Sequence, residues 1–532
     1  MKIKSLLFGM MASAALVACT NENEPVSNVQ ENEVLGKSYV AVNVVTPKGT
    51  QSRATADDFT AGTADEVNVN GAVFLYLDGN FNGCAAPYYV SGLQWAEADG
   101  LGQDVKANVL VVDEAKEVPS YIVAILNPVG GENHGYTAAT TLANLKAENA
   151  TYTTYTTRNF VMSNAVYRAA NGKEAAATPV TIDKIHSSAA EAIDDPVTIF
   201  VERVVGKVAV TGLDTAASNW EKVVKDQKEN GLVDDVIADA EDMQLSLEIT
   251  GWEVLQNVKS TLVKNIDLSW NHTWWNDITL QRSYWAKDYT AAKRTEYKVD
   301  QMTNPGFRYV EETVSQTANT VEVDDVNPYL LVAGKFVDAK TKEAVNLVEW
   351  RGRKYTLDGY LNFIAGNSEI SQYWTKSGDT YTSFSAELLE MVDDEDTDWK
   401  AEAMLKDANT QFYTIESFNV DGTVKEAKEV ATSVVEEAIA KFGEVQYWNG
   451  GRTYYYTPIK HETVGTDNFY GVVRNHVYNV AISAITGYGT PVANPEQAIE
   501  IPEKPVDDKS YLSADVVILD WKVVKNENVE LN

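Results

Sequence analysis

In this 532-residue chain the residues best suited to covalent chemistry are Cys19 and the bond between Arg53 and Ala54, and in both cases the chain itself is the substrate. Cys19 closes Leu16-Val17-Ala18-Cys19, after a positive start at Lys2 and Lys4 and an apolar run from Leu6 to Val17. That pattern reads as a bacterial export signal ending in a lipobox. The small residue before the cysteine suits a signal-peptidase pocket, and the thiol is the group that takes a diacylglycerol. The apolar run is too short to span a bilayer, whereas a triacylated Cys19 anchors the chain firmly, because several acyl chains contribute where one is marginal. An ordinary secretory signal with a chance cysteine is the alternative. Arg53 stands in the polar stretch Thr50-Gln51-Ser52-Arg53-Ala54-Thr55, an accessible trypsin-type site.

Other chemistry is looked for and not found, so no catalytic residue, metal ligand or cofactor is expected. His134, His186, His272, His461 and His476 are scattered, without an i, i+4 pair or a zincin arrangement of acids. The acidic run Asp393-Asp394-Glu395-Asp396-Thr397-Asp398 fails the calcium-loop pattern, since Trp399 and Leu405 fall where the loop needs Gly and Glu. Cys84 has no His or Asn motif with it and reads as inert. There is no phosphate-binding glycine loop, nucleophile elbow or dinucleotide fingerprint. Two aromatic clusters, Trp270, Trp274 and Trp275 around His272, and Tyr447 with Trp448, could stack on sugars or pack in a core or between subunits.

A net charge of −33 gives a surface that repels nucleic acid and anionic membranes and keeps the chain soluble. Cys84 is the one cysteine besides Cys19, so no intramolecular disulfide survives processing and stability must come from burial. With 44% hydrophobic residues there is enough chain for two or more cores.

The elements are mostly short apolar runs separated by Gly, Asn, Asp and Pro, the pattern of β-sandwich domains. Two strands read as lying outside the main body: Ser38 to Thr46 near the start, closed by Pro47, and Tyr511 to Lys525 at the end. Between them, Val67 to Leu77, Val105 to Val112 and Tyr121 to Leu126 read as early strands. The run Pro196 to Val210 is a long β-branched stretch that closes the first domain or bridges to the second. A charged, helix-permissive stretch from Asp214 to Asp242 marks the boundary. Met243 to Trp252 and Glu253 to Ile266 read as two strands meeting after Gly251, and Thr423 to Phe442 as an amphipathic helix. Residues 487–510, rich in Gly, Pro and acid, read as a linker that lets the last strand leave the body.

A family pattern runs through these pieces. The lipobox at Cys19, the strand from Ser38-Tyr39 to Arg53-Ala54, Val201-Glu202-Arg203-Val204-Val205-Gly206-Lys207-Val208, Ile249-Thr250-Gly251-Trp252, Tyr329 to Phe336, Val472-Val473-Arg474-Asn475-His476-Val477-Tyr478 and the closing strand with Asp520-Trp521-Lys522 follow one another in order. In these the chain resembles the major fimbrial subunits (fimbrilins) of the type V pili of Bacteroidia, most closely the minor-fimbria shaft type. The family has Ala where this chain has Gly206. The resemblance implies a mostly β fold: two transthyretin-like β-sandwich domains, a few short helices and an extended C-terminal donor strand. It divides the chain into a signal peptide (1–19), a propeptide with a removable strand (20–53), two sandwich domains (54–213 and 214–490), and a linker with the donor strand (491–532). It also implies an outer-membrane lipoprotein precursor cut after Arg53 by an Arg-specific protease. Its partners are then copies of itself and accessory tip and anchor fimbrilins in a surface fimbrium, with membrane contact only through the precursor's lipid.

In this scheme the removable strand carries Val40, Val42 and Val44 on one face, and losing it leaves unpaired backbone and an apolar trough. The neighbour's donor strand fills the trough with Val517, Leu519, Trp521 and Val523, so that Asp520 and Lys522 point to solvent. Four large side chains buried there contribute roughly 6 to 12 kcal/mol before association costs. The alternatives are that both strands are permanent members of their own domain, or that the chain is a non-polymerising anchor, tip adhesin or glycan-binding surface lipoprotein.

Overall fold

The computed structural model describes residues 37–45, 59–61, 69–91, 106–113, 119–128, 131–147, 149–151, 160–164, 167–168, 174–175, 177–220, 243–255, 260–262, 296–314, 328–394, 397, 399–464, 467–499, 501 and 511–522. The fold is mostly β, with a few short helices. Among the described residues no helix is long and apolar enough to cross a membrane.

The first body is an eight-stranded sheet. Its path runs Tyr88–Ser91, Gly71–Leu77, Tyr121–Leu126, Met162–Asn164, Val197–Arg203, Lys37–Val45, Lys106–Asp113, with Thr178–Pro179 paired beside Tyr121–Leu126. Gly71–Leu77 is buried along its whole length because both of its faces are covered. Ala72, Phe74 and Tyr76 pack with Ile122, Ile199 and Val201. Val73, Leu75 and Leu77 pack with Val123 and Ile125, and with Val204, Val205, Tyr309, Val473 and Val477 of the next body. The two bodies therefore share an apolar layer.

The second body is a sandwich. One sheet runs Arg308–Glu311, Val205–Thr211, His476–Thr486, Tyr511–Lys522, Phe59–Ala61, and the other Leu245–Leu255, Tyr329–Asp338, Arg452–Pro458, Thr490–Pro491. Between them lie Val208, Trp252, Leu330, Val332, Phe336, Tyr478, Val480 and Ile482. Arg308 ties the sheets together, donating through Nε to both carboxylate oxygens of the largely buried Glu253 (2.9 and 2.7 Å). These bonds hold the guanidinium proton more firmly than usual.

Residues 347–448 build a third core within the second half. A five-stranded sheet (Arg353–Thr356, Leu347–Trp350, Val445–Trp448, Lys400–Leu405, Leu389–Asp393) and a four-stranded one (Thr380–Ser383, Tyr373–Ser377, Phe412–Phe418, Val424–Val430) accompany two helices. The helix Leu357–Ala365 is capped by Thr356, whose Oγ1 accepts the Gly359 N–H. It buries Tyr360, Leu361, Ile364 and Ala365 against this core.

Several expectations change. The run from Pro196 is two strands, and of its two readings the bridging one holds. Val197–Arg203 pairs with Met162–Asn164 in the first body and Val205–Thr211 with His476–Thr486 in the second, so the chain passes from one sheet to the other at Val204. The pair expected around Gly251 is one strand, Leu245–Leu255, with a bulge between Ile249 and Gly251. There the backbone of Met302 and Thr303 comes so close that a Cβ on Gly251 would lie 2.6 Å from it. The glycine serves close approach rather than a turn.

The helix expected from Thr423 to Phe442 is real only as Thr432–Ala440, because Val424–Val430 is an edge strand on Phe412–Phe418. Val424, Ala427 and Val430 recur every three residues, which mimics a helix. Here that spacing accompanies two register irregularities, with exposed Lys425, Glu426, Lys428 and Glu429 blunting the edge. The stretch expected as a linker from 487 is packed through its first half: Tyr488, Val492, Ile499 and Ile501 are buried. Neither terminal strand lies outside the body. Backbone groups that would otherwise be unpaired give each of them a place in a sheet.

Candidate assembly strands

The leader strand, Lys37–Val45, is an interior strand. On one side it runs parallel to Val197–Arg203, with Val42 beside Val197 and Val44 beside Ile199. On the other it runs antiparallel to Lys106–Asp113, from Lys37 opposite Asp113 to Val44 opposite Lys106. Val197 and Ile199 are buried in the first body and Thr198 is exposed. Val42 and Val44 thus stand in register with the two buried positions of that neighbour, and Val40 precedes them by one period of the strand. The strand bridges two others that have no described contact with each other across this position.

The tail strand, Tyr511–Lys522, lies antiparallel to His476–Thr486, from Thr486 opposite Tyr511 to His476 opposite Asp520, with one irregularity between Ile482 and Ala484. Its other side carries Phe59–Ala61 in parallel, with Thr60 beside Trp521. Tyr478, Val480 and Ile482 face the sandwich core, and their partners in register are Ile518, Val516 and Ala514. Val517 and Leu519 pair in register with Asn479 and Val477.

A buried polar knot holds the start of the tail's partner strand. Arg474 and Glu312 are both about 1% exposed; Arg474 donates to Glu312 from its Nε at 2.7 Å and from its backbone N–H at 3.1 Å. His476 Nδ1 donates to the Arg474 carbonyl at 2.7 Å. Tyr478 Oη accepts the Val473 N–H at 2.7 Å and shares a hydrogen bond with His461 Nδ1 at 2.8 Å. Asn475 adopts a left-handed backbone, φ 56°, and its N–H donates to the Val205 carbonyl at 2.8 Å. Burying charge is tolerable only with such partners.

The tail strand and the knot residues His461 and Val473 to Tyr478 lie in one stretch of sequence that also matches known proteins, while Glu312 and Val205 come from outside it. Residues 446–527 match the family model "Major fimbrial subunit protein type IV, Fimbrillin, C-terminal". The C-terminal region is similar to that of fimbrillins. The match begins in the strand Val445–Trp448 and ends just past the tail strand, so the matched region contains Arg474, Asn475, His476 and the tail strand, but not their partners Glu312 and Val205. No curated protein sequence matches the chain. Among solved structures it is similar to a candidate cell adhesion protein from Parabacteroides distasonis (12% identity, 92% of this chain and 99% of that one, TM-score 0.38). It is also similar to a fimbrial assembly protein from the same organism (10%, 74% and 98%, 0.30) and to the tip fimbrial protein Mfa3 from Porphyromonas gingivalis (11%, 91% and 100%, 0.33).

Of the residues singled out from the sequence, Cys19, Arg53, Ala54, Val523 and the Trp270, Trp274, Trp275 and His272 cluster lie outside the described residues. Tyr447 and Trp448 are core residues, and Trp448 Nε1 donates to the Tyr488 carbonyl at 3.0 Å. Cys84 is half-buried beside the first core. Two of the supposedly scattered histidines, His461 and His476, come together with ring centroids 5.9 Å apart. Among the described residues no group of His, Cys, Asp and Glu is arranged to hold a metal. The Arg474–Glu312 pair and its neighbour Arg203 were not foreseen as partners. Their signal is a charged residue set inside a β-branched run, as in Val201-Glu202-Arg203-Val204.

Proposed function

We propose that this chain is the repeating structural subunit of a cell-surface fimbria. It is exported as a lipoprotein through Cys19, cut between Arg53 and Ala54 by an Arg-specific protease, and polymerised by strand exchange, without an enzymatic role. The observation that carries the reading is the place of the leader strand. It is an interior strand, it lies upstream of Arg53, and it has partners on both sides. Its loss would leave two open strand edges and the buried face of Val197 and Ile199 in need of a cover. A neighbour's tail strand supplies backbone groups for both edges, at about 1 kcal/mol net for each ladder bond, and offers Val517, Leu519, Trp521 and Val523 to the trough. The partners are then copies of the chain, together with accessory tip and anchor subunits, and the function is adhesion and colonisation through the assembled fibre.

One observation favours a second reading. The tail strand is paired inside its own molecule, as a non-polymerising anchor, tip adhesin or glycan-binding surface lipoprotein of the same fold would keep it. Low-dose trypsin on the purified precursor, run on an unboiled gel, separates the two. The shaft reading expects a ladder of multimers that Arg53→Ala and deletion of residues 513–532 both abolish. Monomers alone after complete cleavage at Arg53 would overturn it.

A further inference from the structure

We propose that Phe59–Ala61, the first described strand after Arg53, is a latch that keeps the tail strand at home until the chain is cut. The inference rests on the reading of Arg53 as the maturation site and gives that cut a second consequence. Phe59, Thr60 and Ala61 pair in parallel with Asp520, Trp521 and Lys522, the last three residues of the described tail strand. Strands open from their ends, so this is the end at which a departing tail must first be freed. The latch covers the far side of the tail at Asp520 and is the described strand partner of Trp521 and Lys522; without it the tail keeps His476–Thr486 as its described neighbour, with a free end beyond Asp520.

A three-residue parallel pairing has little stability of its own. It persists when the chain on both sides is tied down, because tethering keeps its local concentration high. On the C-terminal side the chain runs on to the buried strand Gly71–Leu77. On the N-terminal side it runs through residues 46–58 to the leader strand, which is fixed by four parallel and eight antiparallel positions. Arg53 lies between the leader strand and the latch. Cutting there releases the N-terminal tether, so the event that allows the acceptor slot to empty also loosens the donor. Acceptor and donor are both occupied in the uncut precursor, which guards against premature polymerisation.

Hydrogen exchange of the full-length precursor, read by mass spectrometry on the peptide spanning residues 511–522, tests this. Uncut protein is compared with the monomer fraction taken immediately after cleavage at Arg53. The latch expects exchange in this peptide to quicken on the order of tenfold after the cut, as for loss of one flanking contact. The uncut double variant Thr60→Pro/Ala61→Pro, which removes latch N–H groups in either phase of a parallel ladder, should show the same acceleration. Unchanged exchange at 511–522 after cleavage, with residues 106–113 losing protection as the leader departs, would overturn the latch while leaving strand exchange intact. Acceleration at 511–522 without any multimer at high concentration would sustain the latch and sink the polymerisation reading instead. The cleaved wild type carries the test even if the proline variant fails to fold.

Discussion

Arg203 Nη1 donates to Asn475 Oδ1 at 3.1 Å, joining residues 272 positions apart. Arg203 ends the strand that belongs to the first body, and Asn475 forms the left-handed turn that opens the tail's partner strand. Both are buried, so the contact sets the two bodies in register where the chain crosses between them. Replacing Asn475 with Ala leaves a buried guanidinium donor short of an acceptor and puts a Cβ-bearing, non-amide residue in the left-handed region. The expected loss is about 2 to 4 kcal/mol, read by urea unfolding. Asn475→Gly should recover only the backbone part, and equal stability of Ala and Gly variants would contradict this division.

Glu312 and Arg474 form a buried ion pair in the same knot. Removing one partner strands a buried charge, so Glu312→Leu should destabilise by about 3 to 5 kcal/mol. The double variant Glu312→Leu/Arg474→Met should be the more stable of the two, because no uncompensated charge is left. A double variant as weak as the sum of the singles would show that the remaining groups of the knot, not the pair, carry the cost.

Gly206 sits where a Cβ would come 2.3 Å from Val472 Cγ1 and 3.2 Å from the Val473 carbonyl. Val472 is fully buried and β-branched, so it has little freedom to move away. Gly206→Ala is therefore expected to cost about 1 to 3 kcal/mol through overpacking. Val472→Ala introduced with it should relieve part of that loss, which thermal or urea unfolding of the three variants can measure.

Asp338 Oδ1 accepts the N–H groups of Thr341 (2.8 Å) and Lys340 (2.7 Å) in the turn after Tyr329–Asp338. These bonds hold its carboxyl below the usual value, against a smaller opposing effect of desolvation. A depressed folded pKa contributes stability that is fully present above the unfolded value near 3.8 and is lost as pH falls through the folded value. Asp338→Ala should therefore differ from wild type at neutral pH and converge with it in strong acid. A stability gap that stays constant across that window would rule out the carboxylate as its source.

Much of this architecture was legible in the chain because alternation and turn residues report local choices. Val40, Val42 and Val44 alternate within a run that forms the strand Lys37–Val45, with Val42 and Val44 in register with Val197 and Ile199. What escaped were non-local choices. Nothing in the spacing of Val424, Ala427 and Val430 says that Phe412–Phe418 lies alongside with irregular register. Nothing in the Gly- and Pro-rich stretch after Gly487 says that Tyr488 closes over Trp448 and Phe336. The division at Val204 was hidden because two strands in two sheets meet in one unbroken β-branched run. The polar knot was hidden because its partners, Arg203, Glu312, Arg474 and Asn475, come from segments far apart in sequence.

The two faces of the tail strand make separable demands. Within the molecule Val516 and Ile518 pair in register with Val480 and Tyr478, which pack in the sandwich core. The set proposed for a neighbour's trough, Val517, Leu519, Trp521 and Val523, occupies the alternate positions. A charge at Ile518 should then destabilise the uncut precursor by about 2 to 4 kcal/mol, the cost of an unpaired charge on a buried face. Leu519→Asp should block the multimer ladder after cleavage, because it puts a charge into the set proposed for the trough. Urea unfolding of the precursors and an unboiled gel of the cleaved proteins give the two readouts. A normal ladder from Leu519→Asp with none from Ile518→Asp would reverse the assignment and make the same face serve both sites. That outcome would leave competition between home sheet and neighbour, rather than a change of face, as the step that controls assembly.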